Sequence, residues 1–291
     1  MPDEPRSAPD RARPAIAAGG GVLVAMSLPP WGWWPLAFVG VAVFEFAIAN
    51  ESSRRDRAVS GFAFALPWML IGMAWMWFLT APGYVVASAI FAGLHAGAAA
   101  IAPVGPWRVV GRPAAHTLAE AIRMLVPFGG VPLATLGIAV ADSPLLGLAP
   151  VGGVILLTWF VFTVGIGAGS WFHAPPDGWP ALVALGATVI AALAGLVAPT
   201  GSDLDAPDLT VAAVPGGGEQ GTSAIDGPTS AVTRAHLQAP ATIEASDDLV
   251  LVVWRENGSH VNREPFEDSA ALEAIAAESA RLGVPFTVGV T

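Results

Sequence analysis

Cysteine and lysine are both absent from the 291 residues, and tyrosine occurs once, at Tyr84. Without cysteine there are no disulfides and no thiolate metal ligands, and cysteine usage says nothing about compartment. Two of the commonest covalent nucleophiles and Schiff-base formers are thereby missing. Charge is scarce as well: 12% of the residues are Asp, Glu, Lys or Arg, against about 25% in soluble domains. With 54% hydrophobic residues, most of the chain suits a solvent other than water. The net charge of −10 conceals an asymmetry, because arginine dominates the loops before Gly201 and acidic residues accumulate after it. That acidic portion argues against nucleic acid as a partner.

A membrane-spanning helix needs about twenty mostly apolar residues. The clearest windows are Gly61 to Leu79, Gly83 to Val104, Leu148 to Ser170 and Trp179 to Val197; shorter or more broken ones are Pro14 to Leu28, Trp34 to Ala49 and Ala114 to Val126. Tryptophans cluster near the proposed ends, at Trp31, Trp33, Trp34, Trp107, Trp171 and Trp179, as interfacial belts require. Arg6, Arg11 and Arg13, then Arg54, Arg55 and Arg57, then Arg108 and Arg112 fall on one side if seven helices alternate. Short basic loops stay in the cytoplasm, so the amino terminus is expected inside and everything after Pro199 outside. A cleavable signal peptide is the alternative reading of the first window, with its Arg-rich flank and apolar core. The expected organisation is a basic cytoplasmic tail over 1–13, a membrane domain of about seven helices over 14–198, a linker over 199–208 and an extracytoplasmic domain starting at 209–291.

Beyond the linker the pattern turns to alternating strands and helices. Leu209 to Val214, Leu249 to Val253 and Val284 to Val290 read as strands, with helices over Pro228 to Ala245 and Ser269 to Leu282. This is the opening of an α/β domain, too small to bury both faces of its sheet. The run Leu249 to Val253 reads as a strand buried on both faces, and Trp254, Arg255, Glu256 and Asn257 follow at its carboxyl edge, where α/β folds place their chemistry. Glu256 is therefore a candidate general base; otherwise it is a solvated carboxylate in a turn.

Other motifs carry less. The loop Pro215 to Ser223 has the glycine spacing of a phosphate cradle, but Thr222 stands in place of the lysine and Glu219 would repel phosphate; a flexible turn is the better reading. Glu120 and Arg123 share one face of a membrane segment and can pair, either as a functional site or as a structural ion pair. His95 reads as a hydrogen-bonded packing residue rather than a relay. His173, His236 and His260 show no metal-ligand spacing, so no metal or cofactor is expected.

Five stretches, in order, resemble the apolipoprotein N-acyltransferase family, bacterial membrane enzymes with a nitrilase-like extracytoplasmic domain. They are Leu28-Pro29-Pro30 through Trp34-Pro35-Leu36-Ala37; Gly61-Phe62-Ala63-Phe64; Leu118-Ala119-Glu120-Ala121-Ile122-Arg123; Leu146-Gly147-Leu148-Ala149-Pro150 with Gly152 and Gly153; and Val211-Ala212-Ala213-Val214 continuing to Trp254-Arg255-Glu256-Asn257. The fold class this implies is a polytopic α-helical membrane domain followed by an incomplete nitrilase-like α-β-β-α sandwich. The implied partners are a phospholipid acyl donor, a diacylated lipoprotein acceptor and the inner membrane. The implied chemistry is two-stage acyl transfer through a cysteine thioester, with a glutamate as base and a lysine at the oxyanion. Glu256 matches the glutamate; Arg255 replaces the family's usual proline, and its guanidinium would lower the carboxyl pKa if turned inward. Glu120 and Arg123 fall in membrane-domain architecture near the phospholipid entry.

The family's cysteine and lysine have no counterpart in this sequence. The chain alone is therefore expected to be incomplete or inactive: part of a longer enzyme, completed by a carboxyl-terminal fragment, or a decayed copy. The unfinished sheet favours the first. Two rivals are a polytopic binding or transport protein with a degenerate regulatory domain, and a membrane-anchored nitrilase-like amidase.

Overall fold

A computed structural model describes residues 8–51, 53–127, 129–172, 178–198, 209–214, 238, 242–246, 248–254 and 269–289, with side chains described from residue 12 on and that of Ala271 excepted. The chain forms two compact units, Met1–Asp203 and Leu204–Thr291.

The first unit is helical. Its elements are α1 (Ala8–Met26), α2 (Pro35–Ile48), α3 (Arg54–Gly72), α4 (Ala81–Ile101), α5 (Arg108–Arg123), the short α6 (Leu136–Ala139), α7 (Ala149–Trp171) and α8 (Trp179–Val197). Their starts are set by local chemistry. The Ser53 hydroxyl accepts from the Asp56 amide at 3.3 Å at the head of α3, and the Thr80 hydroxyl from the Gly83 amide at 3.3 Å at the head of α4, satisfying amides that have no partner within the helix. Inside α7 the backbone breaks at Gly152 and Gly153; Gly153 takes φ +61° and ψ −159°, a region essentially confined to glycine.

A helix lies in each of the seven apolar windows, but three are long and apolar enough to cross a membrane: Ala81–Ile101, Trp179–Val197, and Pro144–Trp171, which joins α7 to the turn before it. The fourteen residues of α2 reach only about 21 Å at 1.5 Å per residue, short of a hydrocarbon core about 30 Å thick. Two boundaries differ from the sequence reading for one reason. α3 starts at Arg54 instead of Gly61, and α5 at Arg108 instead of Ala114. Arg57, Arg108 and Arg112, read as loop cations, lie inside these helices and are buried, each held by acceptors within the unit.

Exposed tryptophans form two groups. Trp31, Trp33, Trp75 and Trp77 lie where α1 meets α2 and α3 meets α4; Trp107, Trp171 and Trp179 lie where α5 begins and α7 gives way to α8, and Trp107 and Trp179 pack edge to face at 4.8 Å. Between the groups runs α4, whose 21 residues span about 32 Å. Exposed tryptophans in two groups flanking a helix of that length fit the pattern of aromatic belts at the two interfaces of a bilayer. The outer face of α8 is apolar and open, with Leu182 69%, Ile190 69% and Leu196 81% exposed.

The core of this unit is built from Phe44 on α2, Phe64 and Trp68 on α3, Phe91 on α4 and Phe162 on α7, all fully buried. Phe44 and Phe64 stack at 4.4 Å. These rings enclose His95 and His116, with Trp68 at 5.0 Å from the first and Phe162 at 5.2 Å from the second.

The second unit holds a parallel sheet of β1 (Thr210–Val214), β2 (Leu249–Trp254) and β3 (Phe286–Thr287), in that order, and the helix α9 (Ala270–Leu282). The Ser269 hydroxyl caps α9 by accepting from the Leu272 amide at 3.3 Å. Ile275 and Leu282 of α9 form a core with Val214, Leu249, Val252 and Trp254. Among the described residues the face of the sheet away from that core is not fully covered: Val211 and Ala213 are exposed there and their partners Leu251 and Val253 on β2 are half-buried. Among the described residues α9 is the one helix packed on the sheet, and it covers one face. The third strand pairs over Phe286–Thr287 alone, within the longer run expected. The loop Pro215 to Ser223 and most of the helix expected over Pro228 to Ala245 lie outside the described residues, but residues 243–245, expected to end that helix, are not helical.

Candidate functional site

Two places are candidate sites. The first is the carboxyl edge of the sheet, where β1 and β2 end in register, Val214 beside Trp254. β2 is the central strand, and its apolar sequence anchors it through Leu249, Val252 and Trp254. Among the described residues β2 ends at Trp254, two positions before Glu256 in the sequence. Glu256 and Arg255 themselves lie outside the described residues.

The second is a line of buried polar side chains along α5. Arg108, Arg112, His116, Glu120 and Arg123 recur at intervals of four, four, four and three residues, which stacks them on one helix face. All are buried. Charged side chains inside an apolar bundle are costly unless paired, and here each has partners.

At the end of α5 that begins at Arg108, the Arg112 Nη1 donates to both carboxylate oxygens of Glu45 on α2, at 2.5 and 2.6 Å. The Ser170 hydroxyl of α7 donates to the same carboxylate at 2.8 Å, and Arg108 Nε stands 3.7 Å from it. This convergence requires α7 to lie against α2. Gly169 permits it, since a Cβ there would sit 2.4 Å from the Ala42 carbonyl oxygen and 2.8 Å from the Glu45 Cβ. Nearby, Arg57 donates to the Ala99 and Ala100 carbonyls at 3.0 and 2.9 Å, a cation closing the carboxyl end of α4.

At the other end, Glu120 and Arg123 pair as the sequence suggested, through two bonds of 2.9 and 2.7 Å. Arg123 Nη1 also donates to the Val131 and Leu133 carbonyls, at 3.0 and 2.6 Å, and the Trp68 indole donates to the Ala134 carbonyl at 3.0 Å. The segment after α5 is thus pinned to α5 and α3. Between the two ends, His95 Nε2 lies 3.2 Å from Glu120 Oε1, and the Nδ1 atoms of His95 and His116 are 3.0 Å apart. His95 is therefore hydrogen-bonded and packed, as read from sequence, and it belongs to a chain of such bonds.

The sequence reading placed Glu120 and Arg123 together but missed Glu45, His116 and Ser170, and it assigned Arg108 and Arg112 to a loop. The signal was present: the spacing from 108 to 120 is a helical stripe once the helix is begun at Arg108. Glu45 stands between Phe44 and Phe46 in an apolar run, an intramembrane charge that needs a partner.

Residues 20–167 match the family described as apolipoprotein N-acyltransferase N-terminal domain. Among curated relatives, an apolipoprotein N-acyltransferase of Pseudomonas syringae pv. tomato is 34% identical over 172 residues, covering 53% of this chain and 33% of its own. One of Azotobacter vinelandii is 28% identical over 282 residues, covering 88% of this chain and 53% of its own. One of Mycolicibacterium smegmatis is 29% identical over 319 aligned positions, covering 96% of this chain and 52% of its own. The chain spans about a third to a half of the length of the curated relatives it matches.

Proposed function

The chain belongs to the apolipoprotein N-acyltransferase family, and from that premise we propose that it supplies the membrane body and the first strands of the nitrilase-like domain of an enzyme that acylates bacterial lipoproteins. The acyl chain would pass from a phospholipid to the free α-amine of an amino-terminal diacylglyceryl-cysteine. Continuity carries this reading: the likeness to the Azotobacter and Mycolicibacterium proteins covers 88% and 96% of this chain, through the helical body and on into the sheet.

In this reading Glu256 is the general base at the carboxyl edge of the central strand. It takes the proton of a cysteine thiol as the thiolate attacks the phospholipid ester, and the lysophospholipid leaves with a proton. It then takes a proton from the lipoprotein amine, which attacks the thioester and releases the thiol, leaving an amide. The chain contains neither cysteine nor lysine, so the nucleophile and the oxyanion lysine would come from residues outside these 291, in the same polypeptide or a second one. The helical body, embedded in the inner membrane with the amino terminus in the cytoplasm, would deliver the sheet to the extracytoplasmic face, where diacylated lipoproteins present their amines. Glu120 and Arg123 would hold the segment after α5 in place beside the phospholipid entry.

Transfer of a radiolabelled acyl chain from phospholipid to a diacylated peptide, assayed in membranes containing this chain together with the cysteine- and lysine-bearing residues, tests the reading. A labelled amide that disappears with Glu256→Gln is expected. Absence of product with every component present contradicts it.

A further inference from the structure

The two clusters along α5 stop one helical turn short of each other. On one side Arg112 spends its terminal nitrogens on Glu45 and on the Ile48 carbonyl, while its Nε–H has no partner. On the other side His116 uses Nδ1 toward His95, while its Nε2 has none. Both side chains are fully buried. They are four residues apart on α5 and so lie on one face. A buried donor and a buried ring nitrogen left unpaired each cost free energy, and such pairs are where internal waters bind.

Counting protons along the line gives the character of the His116 nitrogen. The Glu120 carboxylate, held by two bonds from Arg123, is ionised and accepts only. The proton in its contact with His95 therefore sits on His95 Nε2. The two Nδ1 atoms at 3.0 Å need one proton between them. If His95 carried it as an imidazolium, a second cation would face Glu120, whose charge Arg123 already balances. An uncompensated buried charge is strongly disfavoured. The proton thus belongs to His116 Nδ1, both rings are neutral, and His116 Nε2 is a bare acceptor one turn from the unpaired Arg112 Nε–H.

We propose that one buried water binds between Arg112 Nε and His116 Nε2, accepting from the first and donating to the second, and joins the two clusters into one line. Every bond in that line then points the same way, from Arg112 through the water, His116 and His95 to Glu120. Since Glu45 and Ser170 fasten its start to α2 and α7, and Arg123 fastens its end to the Val131 and Leu133 carbonyls, the line fixes the rotation of α5 against three helices and the segment beyond it.

Nitrogen-15 solid-state NMR of the full chain in lipid bilayers tests this, with His173→Gln, His236→Gln and His260→Gln leaving only His95 and His116 to report. The expected spectrum has two neutral rings of opposite tautomer, protonated at His95 Nε2 and His116 Nδ1, with magnetisation passing from water to His116 Nε2. In Arg112→Lys, which keeps a cation for Glu45 and lacks the Nε–H, that transfer should fall several-fold. A doubly protonated ring, the reverse tautomers, no transfer from water in the wild-type interior, or transfer unchanged in Arg112→Lys would each overturn the proposal.

Discussion

Glu45 is the residue on which the interior of the helical unit most depends, because one carboxylate answers Arg112, Arg108 and Ser170 on two other helices. Glu45→Ala leaves the buried Arg112 guanidinium without the carboxylate it bonds, a change that costs about 3–5 kcal/mol. Glu278→Gln breaks the exposed pair with Arg281, 2.8 Å apart with side chains 22% and 41% exposed, and should cost no more than about 1 kcal/mol. Denaturation midpoints of the two variants in lipid nanodiscs check the contrast; equal losses would show that the buried pair contributes no more than the surface one. Glu256→Gln belongs to the other unit and to chemistry: acyl transfer should be lost with the denaturation midpoint unchanged, and a variant as active as the parent would remove Glu256 from the role of base.

At the scale of elements, two glycines make opposite demands on their helices. In α7, Gly153 adopts a backbone conformation closed to side chains, so Gly153→Ala should cost about 1–3 kcal/mol. In α4, nothing lies within 4 Å of the Cβ position of Gly93, and Gly93→Ala should be neutral or stabilising by up to about 1 kcal/mol. Unfolding both in nanodiscs gives the comparison, and a loss at Gly93 as large as that at Gly153 would contradict it. The positions of the helices were legible because apolar length is a strong signal, although α3 begins at Arg54, behind its Ser53 cap, seven residues before the apolar window. The start of α5 was not, since Arg108 and Arg112 look like loop cations until their spacing from His116 and Glu120 is laid on one helix face. The strand β2 was legible as a strand but not in its burial: a continuous apolar run cannot report that α9 covers one face only. Glu256 was singled out from its place after that strand and lies outside the described residues.

Over the whole molecule, the proposed orientation in the membrane is measurable because these 291 residues contain no cysteine. In spheroplasts, Ser223→Cys should react with a membrane-impermeant maleimide, whereas Ser7→Cys should react only after permeabilisation; the opposite pattern would invert the proposed orientation. At this scale the proposed function is modification of the cell's lipoproteins. Mass spectrometry of lipoprotein amino-terminal peptides, from cells with and without the gene, tests the acyltransferase assignment most directly. Deletion should convert the triacylated peptide to one lighter by a single amide-linked acyl chain with a free α-amine, and restoration of the gene should reverse it. Triacylated peptide persisting in full after deletion would contradict the account.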